Sequence, residues 1–134
     1  MTRSIGMAPS AQEMQAMARA AMDILPPQFF ARLGEVIMQV EDFADPELLA
    51  EMGIENPFEL TGVYEGLPLN EKSIEHSGTV PDRIRLFRRP ILDEWAERGN
   101  ETLEHLVAHV VIHEIGHHFG LSDADMHALE KEFE

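Results

Sequence analysis

From Leu103 to Phe119 apolar residues cover most of a helix's circumference, with histidines set among them. At about 100° per residue, Leu103, Leu106, Val107, Val110, Val111, Ile112, Ile115 and Phe119 fall on nearly every side. A helix apolar nearly all round has to be buried, so any fold of this chain must wrap around it. His113 and His117 are then polar groups on a rigid, buried element. Four residues apart, they lie one turn above each other on the same face. That spacing lets both imidazoles bind one metal ion, and Glu114 between them points near the same place.

The full pattern runs from His113 to Asp123 and reads HExxHxxGxxD. With 7 His and 18 Glu in 134 residues, an accidental HExxH has a probability of roughly one in twenty. Fixing Gly120 and Asp123 at their offsets lowers that to roughly two in ten thousand. Six of the seven histidines fall at 105, 109, 113, 117, 118 and 127. The chain has no cysteine, which excludes a disulfide framework and a thiolate zinc site. Any transition metal must be held by imidazole, carboxylate and water.

The formal net charge of −15, from ten Lys and Arg against 25 acids, gives no basic footprint for nucleic acid. It disfavours an anionic membrane surface for the same reason. No apolar run approaches a transmembrane span. The first twenty residues carry no continuous apolar stretch, so no signal peptide is read and a cytoplasmic location is expected. Apolar residues at 44 % suit a globular chain with one core. One domain over 10–134 behind a flexible tail at 1–9 is the expected organisation.

Ser10 with Glu13 makes a capping box, and Met14, Met17, Ala18, Ala21, Met22 and Leu25 follow at helical spacing before Pro26-Pro27. A short turn is expected over 27–34. Strands are expected at Glu35–Glu41, Leu60–Tyr64 and Asp82–Arg88, the last alternating Ile84 and Leu86 with arginines. Between them, Asp45-Pro46 starts a short helix that Gly53 stops, and 66–80 reads as a loop. Pro90 opens another short helix to about Ala96. Asn100 is expected to cap the central helix, with Glu101 and Glu104 in its first turn. Gly120 ends that helix, and a last one runs from about 123 to 133.

His113 and His117 are assigned as metal ligands, against the alternative of two satisfied core histidines, which would need partners of their own. Glu114 is the candidate general base, taking a proton from water activated by the metal and passing it to the leaving amine. The alternative is an ordinary helix glutamate, against which Val111 and Ile115 argue. Asp123 is the candidate third ligand, swung back towards the metal after Gly120. It also fits a helix start in which Ser122 is the cap, Asp125 its capping-box partner, and Leu121 with Met126 a hydrophobic staple. Asp125 and His127 are the next candidates for the metal. His118, about 100° around from His117, belongs in the core or behind the ligands. His109, one turn before His113, fits a supporting place or a wider pocket, and His105 the surface. Gly116 permits close backbone approach to a neighbouring strand. Arg83, Arg85, Arg88 and Arg89 are expected to neutralise the acidic surface.

At HEIGHHFGLSD the chain resembles the minimal zincin-type, metzincin-like metallopeptidase family of small bacterial proteins. The likeness extends through LPPQFFARL (25–33), LTGVYEGLPL (60–69) and PDRIRLFRRPIL (81–92). The resemblance implies an α+β zincin-like domain, a small mixed sheet packed on a buried zinc-binding helix with flanking helices. It implies Zn2+ on His113, His117 and Asp123, Glu114 as catalytic residue, and a peptide or protein substrate. Metzincins, to which the chain is similar, have a third His where Asp123 stands, and a Met-turn beyond it. Here eleven residues follow, with Met126 as their methionine, which leaves no room for a subdomain to wall off a cleft. The alternative function is therefore a metal-binding or protein-interaction module without hydrolytic activity. A further alternative is a metal-dependent RNA hydrolase, since H-x3-H-x5-H is similar to the pattern of a bacterial rRNA-maturation endonuclease family. Glu114, the final Asp and the charge count against it.

Overall fold

The structure, a computed structural model, describes residues 7–25, 36–66 and 82–131. Helix α1 (Ala11–Asp23) starts at the capping box expected for it. The Glu13 N–H donates to Ser10 Oγ at 3.1 Å, and the Ser10 N–H donates to Glu13 Oε1 at 3.0 Å. Its face of Met14, Ala18, Ala21 and Met22 is buried. Pro9, the last residue of the expected tail, is buried, and its carbonyl accepts from Arg88 Nε at 2.7 Å. The turn expected over 27–34 and the loop over 66–80 lie outside the described residues, apart from Gly66.

Strand β1 (Val36–Glu41) is followed by helix α2 (Pro46–Glu51) and a 3-10 turn at Pro57–Glu59. Asp45 caps α2 through the Leu48 N–H at 3.1 Å, with Pro46 in the first turn. Strand β2 (Gly62–Glu65) begins two residues later than expected, because the turn at 57–59 takes up the chain before it. Strand β3 (Asp82–Phe87) lies between the other two, parallel to β1 and antiparallel to β2. The described sheet is thus small and mixed.

Alternation along the strands sorts the two faces. Val36, Met38, Ile84 and Leu86 point to one face and join the main core. Arg83, Arg85 and Phe87 point to the other. There Arg85 reaches Glu41 at 2.7 Å, Asp45 at 2.7 Å and Glu65 at 2.9 Å, while Arg83 pairs with Glu65 at 2.7 Å. The arginines of β3 therefore neutralise carboxylates from both neighbouring strands.

Helix α3 (Arg88–Arg98) departs from the expectation at both ends. It starts two residues before Pro90, since a first-turn N–H has no intrahelical partner to lose. It runs on to Gly99, whose φ of 69° closes it. Helix α4 (Leu103–Phe119) is capped by Thr102, which accepts from the His105 N–H at 3.1 Å, and not by Asn100. Glu101 precedes the helix; its carboxylate instead meets Arg98 at 2.9 Å and His105 at 2.5 Å. His105 is accordingly half-buried rather than a free surface residue.

Leu103, Leu106, Val107, Val111, Ile112 and Ile115 of α4 are at most 1 % exposed, as an all-round apolar helix requires. Helix α4 packs on α1 and on the core face of the sheet. Helix α5 (Asp123–Glu130) then folds back onto α4. Its start is a second capping box: Asp125 N–H to Ser122 Oγ at 3.1 Å, and Ser122 N–H to Asp125 Oδ2 at 3.3 Å. Five α-helices and a three-stranded mixed sheet make an α+β arrangement among the described residues. No described helix is long and apolar enough to cross a membrane.

Candidate metal centre

Around the axis of α4, His113 has His117 about 40° to one side and His109 about 40° to the other. Val110 and Glu114 lie further round on the His117 side, and Gly116 on the His109 side. Two different elements cover these flanks. Strand β2 lies against the first: a Cβ on Gly62 would stand 2.9 Å from Val110 Cγ1. Helix α5 lies against the second: a Cβ on Gly116 would stand 2.7 Å from Met126 Cγ. The close approach that Gly116 permits is thus to a methionine of α5, not to a strand. His113 and His117 lie between the two walls.

The β2 wall is fixed by polar contacts as well as packing. Tyr64 Oη donates to the buried Asp82 Oδ2 at 2.6 Å. The Tyr64 ring stacks on His118 at 4.1 Å, and His118 Nε2 is 3.9 Å from Asp82 Oδ2. His118 is thereby a core histidine holding strand to helix, off the ligand side. Burial and then Asp82 keep the Tyr64 phenol protonated well above its usual range. Thr61 accepts from the Phe87 N–H at 2.9 Å, so alternate residues of β2 bond to β3 and the N–H of Tyr64 points away from it. That N–H donates to Glu114.

Glu114 is half-buried, and burial pushes its carboxyl up to about 7, against the pull of the Tyr64 N–H. A carboxylate that exchanges its proton near neutrality suits general-base work. Burial holds the His113 imidazole below its usual pKa, aided by His109 and His117 and opposed by Glu130. The ring is therefore in its neutral, metal-binding form at neutral pH.

His113 is half-buried and His117 exposed, with ring centroids 6.1 Å apart. Asp123 stands in the first turn of α5 and is exposed, as are Asp125 and His127. The three side chains that converge among the described residues are His109, His113 and Glu130, one ligand atom from each lying within 4.8 Å of the others. Asp123 and His117 are not in that group. Glu130 is 8 % exposed, and its carboxylate meets His109 Nδ1 with one oxygen and lies 3.6 Å from His113 Nε2 with the other.

Imidazole and carboxylate donors are the set that a zinc-sized cation accepts. Two ligands at about 2.0–2.1 Å from a tetrahedral zinc stand about 3.3–3.5 Å apart. The 3.6 Å between His113 Nε2 and Glu130 Oε2 is close to that span. His113 and Glu130 therefore fit a divalent metal, whereas His109 Nδ1 touches Glu130 Oε1 directly and has to turn to share it. Glu130 escaped the sequence reading because no motif spacing includes it. The available signal was helical: it lies four residues after Met126, the residue expected in the hydrophobic staple with Leu121.

A family model described as zincin-like metallopeptidase matches residues 33–133, and the chain belongs to that family. Membership brings with it a metal, usually zinc, and the α+β zincin-like fold. No curated protein matches the chain.

Proposed function

We propose that the protein is a zinc-dependent peptidase in which His113, His117 and Asp123 hold the metal and Glu114 is the general base. The observation that carries the reading is the placement of Glu114. Its carboxylate adjoins the first motif histidine, is half-buried, and is held by the Tyr64 N–H with its proton exchange brought to about 7. Zinc, when bound, supplies a Lewis acid that acidifies water and polarises a carbonyl. Glu114 takes the proton of the attacking water and returns it to the leaving amine. The Tyr64 N–H fixes the carboxylate's orientation, and the Tyr64–Asp82 bond and the His118 stack fix Tyr64. The β2 edge turned away from β3 offers backbone groups to an extended peptide, which would pair there as an added strand.

The test is a peptide-library cleavage assay on zinc-loaded wild type and Glu114→Gln. The variant should keep its zinc and its fold and lose at least ~100-fold in turnover. Equal turnover in both would refute the role of Glu114. No turnover in either, across a broad library, would favour a metal-binding or interaction module instead.

A further inference from the structure

We propose that His109, His113 and Glu130 form a second divalent-metal shell, overlapping the motif shell at His113. His113 belongs to two i, i+4 pairs on α4, one with His117 and one with His109. The HExxH pattern uses the first. The structure closes the second with a carboxylate from another helix: the His109 and His113 rings lie 4.1 Å apart, and Glu130 faces a nitrogen of each. Three ligands from two helices is the number a zinc site needs before water completes it.

Glu130 is the reason to expect an ion there rather than a chance cluster. A carboxylate on a side chain only 11 % exposed needs a compensating charge. Among the described residues its ion-pair partners are these two imidazoles. A divalent cation would compensate Glu130 and take both rings as ligands. Two of the three donors are imidazole nitrogens, which selects Zn2+, Co2+ or Ni2+ over Ca2+ or Mg2+. The nitrogen of His113 that faces Glu130 is Nε2. If that atom serves this shell it is lost to the other, so an ion here excludes one on His117 and Asp123. The site stands on its own geometry and does not require that the motif shell bind zinc.

The experiment uses the full chain, stripped of metal and titrated with Zn2+ against a chromogenic chelator and with Co2+ by its visible absorption. Wild type should take one zinc per chain. His117→Ala, which leaves the second shell intact, should still take one. Adding Glu130→Gln to His117→Ala should weaken that zinc at least ~10-fold, and adding His109→Ala in its place should do the same. Circular dichroism of each metal-free variant separates lost binding from lost fold. A His117→Ala protein that binds no zinc would overturn the proposal, and so would one whose zinc ignores both second changes. A wild-type stoichiometry of two would overturn the overlap. The motif shell is read separately: with His109 and Glu130 both replaced, His117→Ala must remove the remaining zinc. If it does not, the motif assignment fails and the second shell is untouched.

Discussion

Replacing Gly116 by alanine should separate α5 from α4, and the size of the effect follows from one contact. The added Cβ would stand 2.7 Å from Met126 Cγ and closer still to its sulfur. Ordinary carbon contacts are about 3.5–4.0 Å, so one side must give by about 1 Å. Met126 is 1 % exposed, so it can give way only by shifting among buried neighbours. Overpacking of this kind costs about 1–3 kcal/mol. Alanine returns about 1 kcal/mol of helix propensity over glycine. The net loss should be about 0–2 kcal/mol, a fall in melting temperature of a few degrees. Zinc affinity should fall as well, because α5 carries both Asp123 and Glu130. The assay is thermal unfolding of metal-free protein with a zinc titration, on Gly116→Ala, Met126→Ala and the double variant. Met126→Ala alone should cost about 2–5 kcal/mol. The double variant should cost less than the sum by about 1–3 kcal/mol, since the new methyl fills part of the space the methionine left. Additive effects, or a Gly116→Ala protein as stable as wild type with unchanged zinc affinity, would refute the packing of α5 on Gly116.

Glu114→Gln should stabilise the chelator-stripped protein in a pH-dependent way. Folding lifts the carboxyl from 4.5 to about 7, so the ionised form is penalised in the fold. The penalty is absent below 4.5, grows through that window, and reaches up to about 3 kcal/mol above 7. A stability gap between variant and wild type that stays constant from pH 5 to 8 would contradict this. Arg85→Met should cost about 1–3 kcal/mol at neutral pH, less than for a fully buried pair, because its carboxylate partners are a third to a half exposed. Burial raises the Glu65 carboxyl, but hydrogen bonds from Arg83 and Arg85 outweigh it and leave the group below its usual value. This part of the stability is therefore present above about pH 4.5 and lost as pH falls, and denaturant midpoints should converge at acid pH. Asp123→Ala should weaken zinc binding by roughly tenfold or more, whereas Asp125→Ala should remove a cap partner worth about 1 kcal/mol or less. The opposite pattern in zinc titrations would move the third motif ligand to Asp125.

Much of the fold was legible because it rests on local chemistry. Ser10 with Glu13, Asp45 with Pro46, and Ser122 with Asp125 each satisfy orphan backbone groups within three residues of themselves, so sequence alone locates those helix starts. The strands showed through alternation, which the two faces of the sheet enforce. The failures came where two local choices were nearly equivalent. Asn100 and Thr102 are both good caps, and the choice fell to Thr102 while Glu101 was drawn to Arg98 and His105. Pro90 looked like a helix start, but it is equally tolerated one or two positions in, and Arg88 bonds to Asp42 and to the Pro9 carbonyl from there.

The candidate site divides along the same line. His113, Glu114 and His117 are legible because one helix fixes their mutual placement whatever surrounds it. The candidate ligands on α5 depend on how that helix returns, and the motif spacing reaches only Asp123 among them. Met126 meets Gly116, and Glu130 meets His109 and His113, so later residues of α5 meet earlier residues of α4. Helix α5 therefore runs back along α4. At about 1.5 Å per residue, Asp123 is about 4.5 Å beyond Met126 towards the C-terminal end of α4, near the level of Phe119 and about 3 Å past His117. Glu130 is about 6 Å the other way, at the level of His109 and His113. Seven residues apart, the two carboxylates sit about 20° from each other around α5, yet Glu130 is buried against α4 while Asp123, in the first turn, is exposed. The structure thus brings Glu130 to His109 and His113, one end of a row of three histidines, and leaves Asp123 outside that group. The motif names the end that holds Asp123. Only the direction of α5, set by the fit of Met126 against Gly116, reveals that the other end is furnished.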